Sequence, residues 1–486
     1  MAKKITAVFL SILMIVTAVL PAVFAQETEN TPYRISVSIN GDTGTQKGLC
    51  WYTGTKTGSV VEIYLDGEKF DADVSNVTEA QWEGAYMHKV TVKGLLPGRR
   101  YTYRVGDGNV FSDLGSFVTD DGDDSFSFIE IADVQAGSLE NFEKAAATLN
   151  AAFDTCPDAE FVANCGDFTN DSTNEEWDFY DEAFSELNLN TTIAPVSGNH
   201  DGFAVWNWFN NMFNLDTSES VQTLSGVNYS YDYGNAHFAV VNTNDVLSVS
   251  LSQLNWLKND LNSTDKDWKI VLMHKSPYTL GKDGKWPDAL YLQSSLTKVI
   301  DMCGVDLVIF GHDHMYIRTK PLKNNRVNEN GTTYILSGTA GSKRYEIRSF
   351  LEGMFLKKSI IDALVIQKNG YGNYWDGKSW DNTDTENVGG CFNTVSINGG
   401  TLTFNSYILS DETGNIKNID TYTITKETGK NKATYNKDNT TSDFEFAAGV
   451  LPSFSCLAVY TLCSWLPRFL IILPKLIYVY ATEGTF

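Results

Sequence analysis

Five short polar blocks follow apolar, strand-like runs, and together they offer a set of metal ligands. They begin at Asp133, Gly166, Gly198, His274 and Gly311. The candidate ligands all have oxygen or nitrogen donors: Asp133, Gln135, Asp167, Asn199, His274, His312 and His314. Carboxylate, amide and imidazole donors without a thiolate suit Mn²⁺, Fe or Zn²⁺. The pattern therefore predicts a metal centre.

The block Gly198-Asn-His-Asp-Gly202 concentrates three kinds of chemistry in one turn. Its two glycines allow a tight turn with positive φ that still presents the polar side chains together. Asn199 offers an amide oxygen to a metal, His200 a titratable imidazole and Asp201 an orienting carboxylate. His200 and Asp201 are therefore the candidate catalytic residues.

A single carboxylate such as Asp167 can bridge two cations. Two cations about 3.5–4 Å apart are a common device for activating water against phosphate esters. The expected cofactor is therefore a pair of divalent ions, Mn, Fe or Zn. The expected partner is a small phosphate ester.

The blocks Asp-x-Gln, Gly-Asp, Gly-Asn-His-Asp, a strand-end His and Gly-His-Asp-His occur in the order typical of one family. In that order they resemble the calcineurin-like metallophosphoesterases, and with the N-terminal domain described below the chain is similar to the purple acid phosphatases. The resemblance covers most of residues 33–424. It implies that Asp133, Asp167 and His314 bind the first metal, and that Asn199, His274 and His312 bind the second, with Asp167 shared.

The same resemblance implies hydrolysis of phosphate monoesters by attack of a metal-bound hydroxide. His200 would stabilise the transition state or protonate the leaving oxygen, oriented by Asp201, Asn170 or Asp171. Two alternatives are open: a phosphodiesterase or nucleotide pyrophosphatase on the same site, and a cell-surface adhesion protein with a decayed catalytic domain. Further candidates for substrate contact, which solvated charge or turn chemistry would explain equally well, are Lys275, Tyr278, Lys343 and Arg344.

Two positions depart from the purple acid phosphatase pattern. Gln135 stands where that family has Gly, and Asn170 stands where it has the Tyr whose phenolate holds Fe³⁺ and gives the colour. A neutral amide stabilises a trivalent ion less than an anionic phenolate does. We therefore expect a divalent pair and a colourless protein.

The elements that must position these blocks change type along the chain. Short strands separated by Gly and Pro turns predict an all-β, fibronectin type III-like sandwich over residues 30–120. Strands then alternate with helices, which predicts an α/β domain over residues 125–426. The family resemblance implies a four-layer α/β/β/α sandwich for this part. Asp120–Asp124 is interpreted as a solvated linker between the two.

The ends of the chain carry targeting signals. Two lysines, an apolar run and Ala22-Val-Phe-Ala25 predict a signal peptide over residues 1–25, with an uncleaved anchor as the alternative. Residues 427–445 are interpreted as a polar linker, and residues 446–480 as a hydrophobic tail that is either a membrane anchor or a misread terminus. The protein is thus expected to be secreted, with a candidate cell-surface tether.

Composition limits the partners. The net charge of −23 argues against a nucleic-acid partner, which would require a basic face. The seven cysteines show neither CxxC nor metal-finger spacing, which favours buried free thiols. His88 and His237 lie in predicted strands and are interpreted as structural.

Overall fold

The computed structural model describes residues 29–202, 208–221, 223, 225–245, 248–281, 287–345, 361–368, 371–375, 380–381 and 388–429. The predicted signal peptide, the hydrophobic tail and most of the polar linker lie outside these residues. Among the described helices, none has the length and apolar character needed to cross a membrane.

The N-terminal part is the predicted β-sandwich. Its strands are β1 (Tyr33–Ser38), β2 (Lys47–Thr53), β3 (Val60–Leu65), β4 (Glu68–Phe70), β5 (Asp73–Trp82), β6 (Ala85–Lys93), β7 (Arg100–Gly106) and β8 (Gly115–Val118). One face has the order β1-β2-β6-β5 and the other β4-β3-β7-β8. Alternating apolar residues such as Trp51, Val90 and Tyr103 fill the space between the faces.

The second part begins with strands and helices in alternation. Its elements up to the last helix are β9 (Ser125–Ile131), α1 (Leu139–Thr155), β10 (Val162–Asn164), α2 (Asn174–Leu189), β11 (Thr192–Pro195), α3 (Trp208–Met212), β12 (Tyr229–Tyr233), β13 (Ala236–Val241), α4 (Leu251–Ser263), β14 (Trp268–Met273), α5 (Pro287–Ser294) and α6 (Leu296–Cys303). The strands that follow are β15 (Leu307–Phe310), β16 (Tyr316–Thr319), β17 (Leu322–Lys323), β18 (Arg326–Val327), β19 (Thr333–Ser337), β20 (Ile361–Lys368), β21 (Tyr371–Trp375), β22 (Trp380–Asp381), β23 (Gly389–Asn398), β24 (Thr401–Ser410) and β25 (Ile416–Thr425).

Two large mixed sheets form the centre of this part. The first has the order β25-β24-β23-β9-β10-β11-β1-β2-β6-β5, and the second β12-β13-β14-β15-β19-β16-β20-β21-β22. Phe128 of the first sheet and Phe161, directly before β10, pack against Phe238 of the second, in one core cluster with Ile270. Helices α1 and α2 cover the outer face of the first sheet, and α4 and α6 that of the second. The expected four-layer α/β/β/α arrangement is confirmed.

The first sheet runs through both parts of the chain. Strand β1 pairs in parallel with β11, with Val37 opposite Thr192 and Ser38 opposite Ile193. The interpretation of Asp120–Asp124 as a solvated linker is wrong for Asp120, which is buried. The Asp120 carboxylate accepts hydrogen bonds from the Thr43 hydroxyl at 2.9 Å and from the Gly234 N–H at 3.0 Å. The two parts are therefore fastened to each other by backbone pairing and by a buried carboxylate.

One predicted helix is divided. The apolar spacing from Leu292 to Cys303 by itself predicts one continuous helix, but Ser295 separates α5 from α6 with φ −126° and ψ −70°. The Ser295 hydroxyl bonds back to the carbonyl oxygen of Tyr291 at 2.6 Å. A serine side chain that competes for backbone groups in this way is a common cause of a helix break. The cysteines within the described residues are free, as predicted.

Candidate metal centre

The five polar blocks follow the carboxyl ends of five strands. Strand β10 pairs in parallel with β9 and with β11, so their blocks emerge along one edge of the first sheet. Strands β14 and β15 pair in parallel in the second sheet, and His274 and Gly311 follow them. Loops at the carboxyl ends of strands are where α/β folds place their sites.

Three predicted donors of one cluster converge on the ring of a fourth, His274. Its Nε2 lies 3.2 Å from Asn199 Oδ1, 3.2 Å from His312 Nδ1 and 3.3 Å from Asp167 Oδ2. Its Nδ1 donates to the carbonyl oxygen of Cys165 at 2.9 Å, which leaves the lone pair of Nε2 facing the other donors. Ligands held tetrahedrally at about 2.0–2.1 Å from an ion stand about 3.3 Å apart. The spacing of these donors therefore fits a cation.

The charges around His274 support the same conclusion. Burial alone would lower the pKa of His274, but the charges of Asp167 and Asp133 raise it to about 9. Burial acts to raise the pKa of Asp167, yet the charges of His274 and His200 outweigh it and hold that pKa well below its ordinary value. Acceptor atoms facing one another in this way require positive charge between them, from a proton or from a metal ion.

The second cluster comprises Asp133, Asp167 and His314, whose ligand atoms all lie within 4.8 Å of one another. His314 Nε2 is 3.6 Å from Asp133 Oδ1, and His314 Nδ1 donates to the carbonyl oxygen of Lys343. Both Asp133 oxygens lie 2.9 Å from the N–H of His312. Burial raises the pKa of Asp133 well above its ordinary value, as expected for a carboxylate placed to meet a cation.

Asp167 belongs to both clusters, which is the position predicted for a bridging ligand. Its Oδ2 faces His274, and its Oδ1 accepts the N–H of His200 at 2.8 Å. The division of donors between the clusters is the one that the family resemblance implied. Which residues bind metal stays a prediction.

Gln135 lies beside this arrangement. Its backbone N–H donates to the carbonyl oxygen of Asp167 at 2.8 Å, and the residue is 4% exposed. Both polar atoms of its side-chain amide are buried without a hydrogen-bond partner among the described residues. An orphaned buried amide costs about 1–3 kcal/mol, so its presence fits a ligand role.

The backbone of the ligand loops is unusual. Positive φ angles are rare outside glycine, yet five of the predicted ligands have them: Asp133 (54°), Gln135 (32°), Asp167 (56°), His312 (81°) and His314 (31°). Such strain collects at functional sites, where the surrounding structure holds it in place. Gly198 permits the close approach of the loops, because a Cβ there would overlap Asp167 N and Oδ1.

The two candidate catalytic residues play different structural parts. His200 Nδ1 donates to the backbone carbonyl oxygen of Asn170, so of the three orienting groups considered, Asn170 is the one in contact. The Asp201 carboxylate accepts backbone N–H groups from both neighbouring loops: Gly198 (2.7 Å), Asp167 (2.9 Å), Phe168 (2.6 Å) and Thr169 (3.4 Å). Asp201 therefore fastens the Asp167 loop to the Gly198 turn.

The other polar candidates have varied partners. Lys275 pairs with Asp288 at 2.8 Å, and Tyr278 bonds to Asn325. Arg344 pairs with Asp411 at 2.6 Å, whereas Lys343 Nζ lies 3.3 Å from Asn170 Oδ1, next to His200.

The histidines interpreted as structural also have partners of their own. His88 stacks on Trp51 with ring centroids 5.1 Å apart. His237 lies between Asp232 and Asp260.

Sequence reasoning named Asn170 and Lys343 for their side chains and missed the backbone carbonyl groups that hold the imidazoles. The carbonyl oxygens of Cys165, Asn170 and Lys343 fix three rings, and Tyr345 stacks on His314 with centroids 4.2 Å apart. A backbone carbonyl has no sequence signature, so no pattern could have found the first three. Tyr345 could have been suspected only from its place after a strand that neighbours β15.

Known protein families match both parts of the chain. Residues 110–316 match the model of the calcineurin-like phosphoesterases, and residues 32–119 match the N-terminal domain of purple acid phosphatases. The predicted resemblance to the calcineurin-like phosphoesterases, with a purple acid phosphatase-type N-terminal domain, is confirmed. The prediction of a metal-dependent phosphoesterase is confirmed at the level of these matches, whereas the two-ion centre stays a prediction.

Individual relatives are distant. Purple acid phosphatase 21 of Arabidopsis thaliana is 24% identical over 300 residues, which cover 59% of this chain and 66% of the relative, just under two thirds. Acid phosphatase type 7 of Danio rerio is 23% identical over 376 residues, covering 66% and 81%. A purple acid phosphatase from yellow lupin seeds has the same fold, with a TM-score of 0.62 and 17% identity over 82% of this chain and 75% of that one.

Proposed function

We propose that this chain hydrolyses phosphate monoesters with two divalent cations, one at each donor cluster. The observation that carries the proposal is the sharing of Asp167 between two sets of donors, each within 4.8 Å. Asp133, Asp167 and His314 would hold one ion, with Gln135 as a neutral fourth ligand. Asn199, His274 and His312, with Asp167, would hold the other.

Charge explains why such a site would take a phosphate dianion. Two divalent ions bring four positive charges, and Asp133 with Asp167 returns two negative ones. When bound, the ions would offset the charge of the phosphate and lower the pKa of water toward neutrality. Surrounding loops exclude solvent from Asp133, Asp167 and His274, which strengthens these interactions.

His200 is proposed as the group that stabilises the transition state or protonates the leaving oxygen. Because Nδ1 donates to the Asn170 carbonyl oxygen, the proton available to a substrate is the one on Nε2. The N–H of His200 also donates to Asp167, which ties the ring to the shared ligand. Asp201 would act indirectly, by fixing both loops.

The ligand chemistry favours divalent ions. Gln135 and Asn170 are neutral, and the ammonium of Lys343 lies against Asn170. A trivalent ion would gain no anionic phenolate at these positions and would meet an added positive charge. We therefore expect a colourless enzyme, and a strong visible charge-transfer band in iron-loaded protein would contradict this assignment.

The experiment combines metal analysis with two substrates. Protein purified without chelator should contain about two ions per chain and should hydrolyse p-nitrophenyl phosphate faster than bis-p-nitrophenyl phosphate. Asp167→Asn should lower both metal content and activity, whereas His88→Gln, a histidine change in the N-terminal sandwich, should keep both. Preference for the diester would indicate a phosphodiesterase, and protein that takes up no metal would indicate a decayed site. Secretion is part of the proposal, and it rests on the predicted signal peptide.

A further inference from the structure

Two imidazoles of the site are held by backbone carbonyl groups from different sheets. His200 donates its Nδ1–H to Asn170, which lies in the loop after β10 of the first sheet. His314 donates its Nδ1–H to Lys343, in the segment after β19 of the second sheet. A carbonyl oxygen can only accept, so each bond fixes both the tautomer and the direction of its ring.

The side chains of the same two residues contact each other. Lys343 Nζ donates to Asn170 Oδ1 at 3.3 Å, and Asn170 Nδ2 donates to Asp171 Oδ2 at 2.8 Å. Both residues are half-buried. The contact therefore joins the carbonyl that orients His200 to the carbonyl that orients His314, across the junction between the two sheets.

We propose that Asn170 and Lys343 form a positioning pair that keeps the His200 proton donor in register with the Asp133–Asp167–His314 cluster. The inference rests on the proposed function, since it assigns His200 its role beside the substrate. Neither residue needs to touch the reacting atoms. The pair acts through the two carbonyl groups, because movement of one loop relative to the other would turn one ring away from the other.

The geometry gives the pair a distinctive consequence. Misplacing a proton donor slows the hydrolysis of substrates whose leaving group needs a proton, and it hardly changes the rate for substrates whose leaving group departs as an anion. Lys343→Met removes the ammonium and keeps the aliphatic stem. We expect kcat for phenyl phosphate to fall about tenfold or more, out of the 10²–10⁴-fold that a placed acid contributes. kcat for 2,4-dinitrophenyl phosphate should change less than about threefold, and KM should change little.

Control variants distinguish a positioning role from a general loss of structure at the site. Lys343→Arg should restore most of the phenyl phosphate activity. Lys69→Met should behave like the wild type, because that ammonium pairs with Glu62 in the N-terminal sandwich, away from the site. Asn170→Ala keeps the backbone carbonyl and should reproduce the Lys343→Met effect, and the double variant should be no worse than either single one. If the two losses instead add independently, the residues do not act as a pair and the proposal is overturned.

A readout apart from activity completes the test. In metal-free protein labelled with ¹⁵N-histidine, the Nδ1–H signals of His200 and His314 should be protected from solvent exchange, and Lys343→Met should accelerate both exchanges. Equal loss of kcat for both leaving groups, or unchanged exchange of both rings, would overturn the inference. If His200→Ala itself shows no dependence on the leaving group, the acid role in the proposed function fails, which is a separate result.

Discussion

Replacing Asp201 with asparagine should loosen the two loops that carry Asp167 and Asn199. The Asp201 carboxylate is fully buried and accepts four backbone N–H groups, two on each oxygen. An asparagine keeps one acceptor oxygen and turns an NH₂ group toward the other two donors. Whichever way the amide is oriented, two buried N–H groups lose their acceptor.

The size of the effect follows from these contacts. Each buried donor left unsatisfied costs about 1–3 kcal/mol. Oδ1 accepts the N–H of Phe168 at 2.6 Å and, more weakly, the N–H of Thr169 at 3.4 Å. Oδ2 accepts the N–H of Gly198 at 2.7 Å and the N–H of Asp167 at 2.9 Å. We expect local opening to become easier by about 2–5 kcal/mol, which accelerates exchange by roughly thirtyfold or more.

Hydrogen–deuterium exchange of metal-free protein at pH 8 measures this directly, in peptides that contain residues 166–170 and 197–201. Asp107→Asn is the matched control, because Asp107 also accepts two backbone N–H groups, at 2.8 and 2.7 Å, but in an exposed turn where water can replace it. Unchanged exchange in Asp201→Asn would refute the reasoning. Activity should fall alike for all leaving groups, and a selective loss with poor ones would make Asp201 the orienting partner of His200.

Two further results are expected. His237 hydrogen-bonds to Asp232 and Asp260; burial alone would lower its pKa, but these carboxylates raise it to about 9, above the ordinary 6.5. Protonated His237 contributes roughly 3 kcal/mol to the free energy of unfolding; this contribution is full below pH 6.5 and is lost as the pH rises through 9. The free energy of unfolding in urea should therefore differ less between pH 6 and pH 10 in His237→Gln than in the wild type. Gly198→Ala places a Cβ against Asp167 N and Oδ1. This overlap should lower the free energy of unfolding by about 1–3 kcal/mol and reduce the amount of metal bound per chain. An unchanged metal content would contradict this prediction.

Much of the architecture could be predicted from local pattern. Alternating or continuous apolar runs predict strands at Phe126–Ile131 and Trp268–Met273, and helical spacing predicts helices at Leu139–Phe153 and Ser252–Leu261. Strands β9 and β14 and helices α1 and α4 agree with these segments within two residues. Strands β20–β22 were not predicted, because the Gly- and aromatic-rich stretch around them has no regular period. The break at Ser295 was missed because its neighbours keep helical spacing.

The sequence by itself determined the candidate donor set. Side-chain types and their place after apolar runs carry the information for ligands, and the two glycines that allow the Gly198–Gly202 turn are also visible there. The expectations of a four-layer fold and of a shared Asp167 came from the family resemblance, and the fold agrees with the first.

Only the tertiary structure decided how these groups are held. The pairing of β1 with β11, the burial of Asp120 and the positive φ of Asp133 and His312 depend on contacts between residues far apart in the chain. The part played by Asp201 also emerged only there, since its partners are backbone N–H groups. Every residue except proline has that donor, so sequence cannot distinguish which ones a folded loop will bring to a buried carboxylate.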